Sequence, residues 1–219
     1  MGGSRIKKIG LIRVLTTCDQ RMLDLHGNII EESYPALKVT SRCIPGHPDG
    51  VHDERTEESA APLVVDLALG FEREGYDAVV VSCAGDPGVE QARRKLRLPV
   101  IGAGRATAAL ALGLGGRVGV LGIMDEAPAA MRSILGDTLT GCIRPAGVRT
   151  TLDLLTDEGR NSINEAALEL RRKGAEVIAL GCTGLSTIRA AAVIREVTGL
   201  KVVDPVMAEG LLALCAVSC

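Results

Sequence analysis

Aromatic side chains are nearly absent from this chain of 219 residues, which holds one Phe, two Tyr and no Trp. With a formal net charge of −2, it offers neither the basic footprint that phosphates require nor the stacking platforms that bases require. Nucleic acid is therefore not an expected partner. Histidine is scarce as well: His26, His47 and His52 all fall in the first quarter, and no Cys-x-x-Cys or His-Glu-x-x-His spacing occurs, so no metal site is expected. No apolar run approaches the roughly 18 residues of a membrane span, and Met1 to Lys8 carry no apolar signal-peptide core. The expectation is a cytoplasmic protein with no membrane partner. Nor does a Gly-x-Gly-x-x-Gly segment open a helix after the first strand, because Gly113-Leu-Gly115-Gly116 precedes a strand instead; no dinucleotide or other cofactor is expected.

Apolar residues make up 47% of the chain and charged residues 24%, the balance of an ordinary globular protein. Cysteine is plentiful, with seven residues, but the count is odd and no export signal accompanies it, so reduced thiols are expected rather than a disulfide framework. Chemistry must come from thiols, carboxylates or hydroxyls.

Short apolar runs alternate with longer segments rich in Ala, Leu, Glu and Arg, the form of βα units on a parallel sheet. Strands are expected at 6–14, 37–43, 78–82, 100–101, 117–123, 176–180 and 202–203, with a weaker eighth at 140–144. Helices are expected at 54–74, 87–96, 106–112, 127–135, 157–173, 185–197 and 205–216. The chain also repeats itself. Gly75-Tyr-Asp-Ala-Val-Val-Val-Ser-Cys83-Ala-Gly85 matches Gly174-Ala-Glu-Val-Ile-Ala-Leu-Gly-Cys182-Thr-Gly184, with both Gly and the Cys at one constant offset of 99. Upstream, Lys8-Ile-Gly-Leu-Ile parallels Arg117-Val-Gly-Val-Leu. The fold class is thus α/β, with two pseudo-symmetric halves, each on a parallel sheet: residues 1–104, completed by a final helix at about 204–219, and residues 105–203. Packed about a pseudo-two-fold axis, such halves bring equivalent strand ends together over one cleft.

Cys83 and Cys182 then sit at the carboxyl ends of strands, the edge where open α/β sheets place ligands. Asp86-Pro87 is read as an N-cap followed by proline in the first helical turn, and Thr183-Gly184 as the equivalent tight turn. A helix N-terminus draws a thiol down from about 8.5 towards neutrality and offers amides to an anion. Inverting a stereocentre takes a base on one face and an acid on the other, a task two facing thiols can share. Cys43, Cys142, Cys215 and Cys219 have no repeat partner and read as packing or surface thiols, with Cys215 on the apolar face of the last helix; Cys18 is open. Segment 24–53, rich in turn formers, reads either as a lid or as a surface excursion beside the second strand.

Ser-Cys83-Ala-Gly-Asp-Pro-Gly and Leu-Gly-Cys182-Thr-Gly-Leu, at this spacing in a duplicated chain, resemble the Asp/Glu/hydantoin racemase family, and within it the hydantoin and allantoin racemase branch. The resemblance implies Rossmann- or flavodoxin-like halves, cofactor-free racemisation with Cys83 and Cys182 as opposed bases, a small acidic substrate such as an amino acid or hydantoin derivative, and a homo-oligomer. It also implies an anion-holding shell from the backbone of Ala84, Gly85, Thr183 and Gly184, with the Thr183 hydroxyl. One departure stands out. The family pattern ends the first strand with an Asn-Pro-Asn-Thr-like segment, whereas this chain has Arg13-Val-Leu-Thr16-Thr17. Arg13 is expected either to clamp a substrate carboxylate, favouring an acid over a neutral ring, or to join a surface ion pair, as is Arg42. Thr16 and Thr17 divide between substrate contact and helix capping. Two other functions stay open: a covalent-thiol isomerase of the maleate-isomerase kind, and a small-ligand-binding protein without turnover. A malonate decarboxylase of the superfamily needs only one of the two cysteines.

Overall fold

The computed structural model describes residues 6–218; Cys219 lies outside them. Two four-stranded sheets carry the chain, and every pairing in both is parallel. The first contains β1 (Lys7–Arg13), β2 (Leu37–Cys43), β3 (Ala78–Ser82) and β4 (Val100–Gly102), in the order β2-β1-β3-β4. The second contains β5 (Val118–Leu121), β6 (Leu139–Ile143), β7 (Val177–Leu180) and β8 (Lys201–Val203), in the order β6-β5-β7-β8. The two orders are the same once numbering restarts at β5, so the sequence repeat is a repeat of topology. The central strands β3 and β7 are buried at every position. Their unbroken apolar runs follow from helices covering both faces, as parallel sheets require.

The helices are α1 (Gln20–Ser33), α2 (Glu54–Arg73), α3 (Val89–Lys95), α4 (Ala103–Gly113), α5 (Ala129–Leu135), α6 (Asp157–Arg172), α7 (Gly184–Thr187), α8 (Ala190–Thr198) and α9 (Pro205–Ser218). Among the described residues no helix is long and apolar enough to cross a membrane. Helix α2 starts where its signals place it: Asp53 and Thr56 form a reciprocal capping box. The single Phe, Phe71, is fully buried on α2, edge-on to Tyr76 at 4.7 Å, with Arg42 stacked 4.5 Å over its ring. Arg42 also pairs with Glu74 at 2.6 Å, the surface ion pair expected of it.

Helix α1 corrects the reading of segment 24–53. Asp19 caps it through the amides of Arg21 and Met22, and apart from a three-residue turn at 34–36 only the stretch after β2, from Ile44 to Asp53, is loop. The His26-Gly-Asn sequence looks like a turn, but Gly27 is there for close approach. A Cβ on it would stand 2.9 Å from Ser41 Oγ and 3.1 Å from Val39 Cγ1, so a side chain would push α1 off β2. The N-cap expected at Asp86 is also corrected. Helix α3 begins only at Val89, after Gly88, and Asp86 turns away with φ at 56°. Its carboxylate accepts from Gly104 N at 2.7 Å and Arg105 N at 2.9 Å, capping α4 instead. Cys215, placed on an apolar face, is exposed.

Candidate active site

Strands β3 and β7 both end at a cysteine-bearing turn. Cys83 and Cys182 are each 7% exposed and line the same narrow cleft. Arg13, at the end of β1, sits between Cys43 of β2 and Ser82 of β3 in register and reaches the same cleft. Gly50 and Val51 of the loop after β2 complete one wall, and Ile123 and Met124, beyond β5, contribute to the other. The walls are largely aliphatic, as the shortage of aromatics requires.

The two thiols have different surroundings. Burial pushes both up from the ordinary thiol value, against the expected depression by helix N-termini; two short turns of amides do not offset removal from water. At Cys182 the opposing influences are many: Gly184 N–H donates to its Sγ at 3.3 Å, Thr151 Oγ1 lies 3.8 Å away, and the Leu185 amide and the Arg13 guanidinium also favour the thiolate. At Cys83 the Gly85 amide is the one group pulling down, while Cys182, Asp86 and Glu57 push up. The site is symmetric in sulfur and asymmetric in charge.

Of the expected shell, Ala84, Gly85 and Thr183 line the cleft, and the Gly184 amide is engaged with Cys182. The Thr183 hydroxyl donates to Ser82 O at 3.2 Å, so it links the two sheets' ends instead of presenting a proton to an anion. Arg13 is 4% exposed, and its Nη1 donates to Met22 O at 2.7 Å. Burial lowers its pKa to about 10. Among the described residues it forms no ion pair; part of its donor fork holds α1. Thr16 and Thr17 do not reach the cleft wall. Thr16 Oγ1 donates to Ile44 O at 2.6 Å and accepts from His47 N at 2.8 Å, while Thr17 Oγ1 accepts from Asp19 N at 3.1 Å. Both fasten loops next to the site.

Glu57 and Thr151 line the cleft as well, and sequence reasoning passed over both. Glu57 stands in the first turn of α2, where an acidic residue has a sufficient reason in the helix dipole. Thr151 belongs to a segment with no periodic signal. Nothing local marks either one.

The model of the Asp/Glu/hydantoin racemase family matches residues 20–209. A hydantoin racemase of a Pseudomonas species (strain NS671) is 27% identical over 175 residues, covering 74% of this chain and 66% of its own length, so the chain spans about two thirds of that relative. A hydantoin racemase of Rhizobium meliloti is 27% identical over 179 residues, covering 77% of this chain and 72% of that protein. The crystal structure of an allantoin racemase from Pseudomonas fluorescens superposes with a TM-score of 0.82 at 24% identity, covering 96% of this chain and 91% of that one. With a family match across both sheets and the paired cysteine turns at one cleft, the chain belongs to the Asp/Glu/hydantoin racemase family.

Proposed function

We propose that this protein is a cofactor-independent racemase or epimerase of hydantoin- or amino-acid-type substrates, in which Cys83 and Cys182 act as opposed acid and base. The observation that carries this reading is the pair of thiols, at equivalent strand ends, lining one cleft. The reaction needs no redox partner. A thiolate takes the α-proton from one face, the electron pair passes into the adjacent carbonyl as an enolate, and the opposite thiol returns a proton to the other face. The first sulfur ends as thiol and the second as thiolate.

The charge asymmetry assigns resting roles. Cys182, with the Gly184 amide, Thr151 and Arg13 about it, is the more readily ionised of the two and takes the base role first; Cys83, beside Glu57 and Asp86, holds its proton more firmly. For the opposite enantiomer the protons must first be exchanged. Burial strengthens a thiolate as a base, because a buried anion is less stabilised than a hydrated one.

Substrate preference follows from Arg13 and Glu57. Arg13 is engaged with α1, which weakens the case for a carboxylate clamp, and Glu57 in the wall repels a carboxylate. A neutral cyclic ureide with N–H donors suits this wall better than a free amino acid. The resemblance further supports a cytoplasmic homo-oligomer, which fractionation and light scattering test.

Incubation in deuterium oxide with single enantiomers of 5-alkyl hydantoins and of amino acids tests the reading, with an enzyme-free control for intrinsic exchange. Loss of optical rotation together with α-deuteration is expected, and Cys83→Ser and Cys182→Ser each slow the racemisation severely. Turnover without α-proton exchange would instead favour covalent thiol chemistry. Binding without turnover would favour a ligand-binding protein.

A further inference from the structure

Behind the two cysteines runs a buried chain of hydrogen bonds that the proton transfer does not use. Ser82, the residue before Cys83, donates its hydroxyl to Glu209 Oε1 of α9 at 2.7 Å. His26 of α1, with no exposed surface, meets Ser82 Oγ through Nδ1 at 2.8 Å and Thr187 Oγ1 through Nε2 at 2.9 Å. Thr187 is the last residue of α7, the turn of helix that follows Cys182. The chain thus joins the end of β3 to the end of α7, and the Thr183 to Ser82 bond crosses the same boundary beside it.

With the Ser82 hydroxyl donating to Glu209, donor accounting sets the direction of the rest of the chain. A serine hydroxyl has one proton, and that of Ser82 goes to Glu209, so Ser82 Oγ receives its second bond from His26 Nδ1–H. Burial, reinforced by the Arg13 charge, holds His26 well below the usual histidine range, so the imidazole is neutral and has a single N–H. Its Nε2 is bare and accepts the Thr187 hydroxyl proton. The bonds run one way, from Thr187 through His26 and Ser82 to Glu209. Duplication does not account for them, because the residue at offset 99 from Ser82 is Gly181.

The geometry points to His26, Ser82 and Thr187 as positioning residues that tie the turn bearing Cys83 to the helix after Cys182 and hold the two thiols at the separation that inversion requires. This rests on the two-thiol reading above. One thiol alone can remove an α-proton and return it to the same face; only inversion needs both sulfurs in register. A displacement of about 1 Å costs up to about 100-fold in such a step. Loosening the chain therefore slows inversion more than it slows proton removal.

Thr187→Val keeps the shape of the side chain and removes the hydroxyl, whereas Thr187→Ser keeps the hydroxyl. After thermal unfolding has shown both to be folded, each is given one enantiomer of 5-isobutylhydantoin in deuterium oxide. Deuteration with retention is compared with inversion. For Thr187→Val, inversion about tenfold slower at a nearly unchanged KM is expected, with a larger retained, deuterated fraction; Thr187→Ser behaves as the unaltered protein. An unchanged ratio in Thr187→Val, or equal damage in Thr187→Ser, overturns the positioning role. Imidazole ¹⁵N NMR gives a readout independent of turnover. The Nδ1–H tautomer without titration between about pH 5 and 8 is expected, and an Nε2–H tautomer overturns the chain itself. Failure of the unaltered protein to racemise anything would count instead against the two-thiol reading.

Discussion

Cys83 and Cys182 occupy equivalent places and differ in their neighbours, and single substitutions separate the two facts. Replacing either sulfur by a serine hydroxyl removes a matched acid/base, so a loss of about 10²- to 10⁴-fold in kcat is expected for Cys83→Ser and for Cys182→Ser. Initial rates with each enantiomer measure it. Glu57→Gln removes a negative charge near Cys83, so the Cys83 thiol becomes more acidic. In a Cys182→Ser background, the pH at which iodoacetamide alkylation of Cys83 reaches half-maximal rate is expected to fall. No movement would show that Glu57 has no hold on that thiol. His26 gives a stability prediction. Its folded pKa lies below its unfolded value, so below about pH 6.5 the unfolded chain takes up a proton that the folded one does not. This contribution is complete above about pH 6.5 and declines as pH falls. Glu209, raised by burial, has the opposite dependence, so the comparison must be made with a single residue changed. Between about pH 7 and 5 the unfolding midpoint of the unaltered protein should drop more steeply than that of His26→Asn.

Among the elements, β3 and β7 were the most legible because both faces are buried, which makes the apolar run continuous, and because the Gly and Cys landmarks repeat. Helix α2 was legible through its cap. Helix α1 was not, since its buried face is built from His26, Gly27 and Ile30, residues whose purpose lies in β2 and in α7. The same holds for Asp86. Read locally it caps α3; in the folded chain it caps α4, 18 residues further on. Helix α4 carries a prediction of its own. Alanine is normally better than glycine in a helix by about 0.5–1 kcal/mol, but a Cβ on Gly104 would collide with the Ala84 carbonyl, a backbone group in the turn after Cys83. Overpacking of about 1–3 kcal/mol exceeds the propensity gain. Gly104→Ala should therefore lower the unfolding midpoint and the rate of inversion together; a more stable variant would mean the turn yields freely.

At the scale of the whole molecule, the duplicated plan was visible in sequence, while the connections that break its symmetry were not. The hydrogen bonds of His26 to Ser82 and Thr187, and of Ser82 to Glu209, span between 56 and 161 residues, and no local pattern foreshadows such pairs. Helix α9 shows how far the asymmetry extends. It packs against β3, β4, α1 and α4, burying Val206, Ala208 and Ala213 along with Glu209. A chain ended before Pro205 loses several kcal/mol of apolar burial at about 25 cal/mol per Å² and uncovers β3. Loss of cooperative thermal unfolding is expected for it, and circular dichroism measures this. Retention of a sharp transition would mean that the first sheet stands without its last helix.

The same helix sets an order of events during synthesis. β1 to β4 are all translated before residue 103, yet α9, which packs against β3 and β4, is made only after β5 to β8. The ribosome must therefore present a sheet with one bare flank while β5 to β8 emerge behind it. The later-born strands can finish folding before the earlier ones, and the flank of β3 is covered only once α9 has emerged.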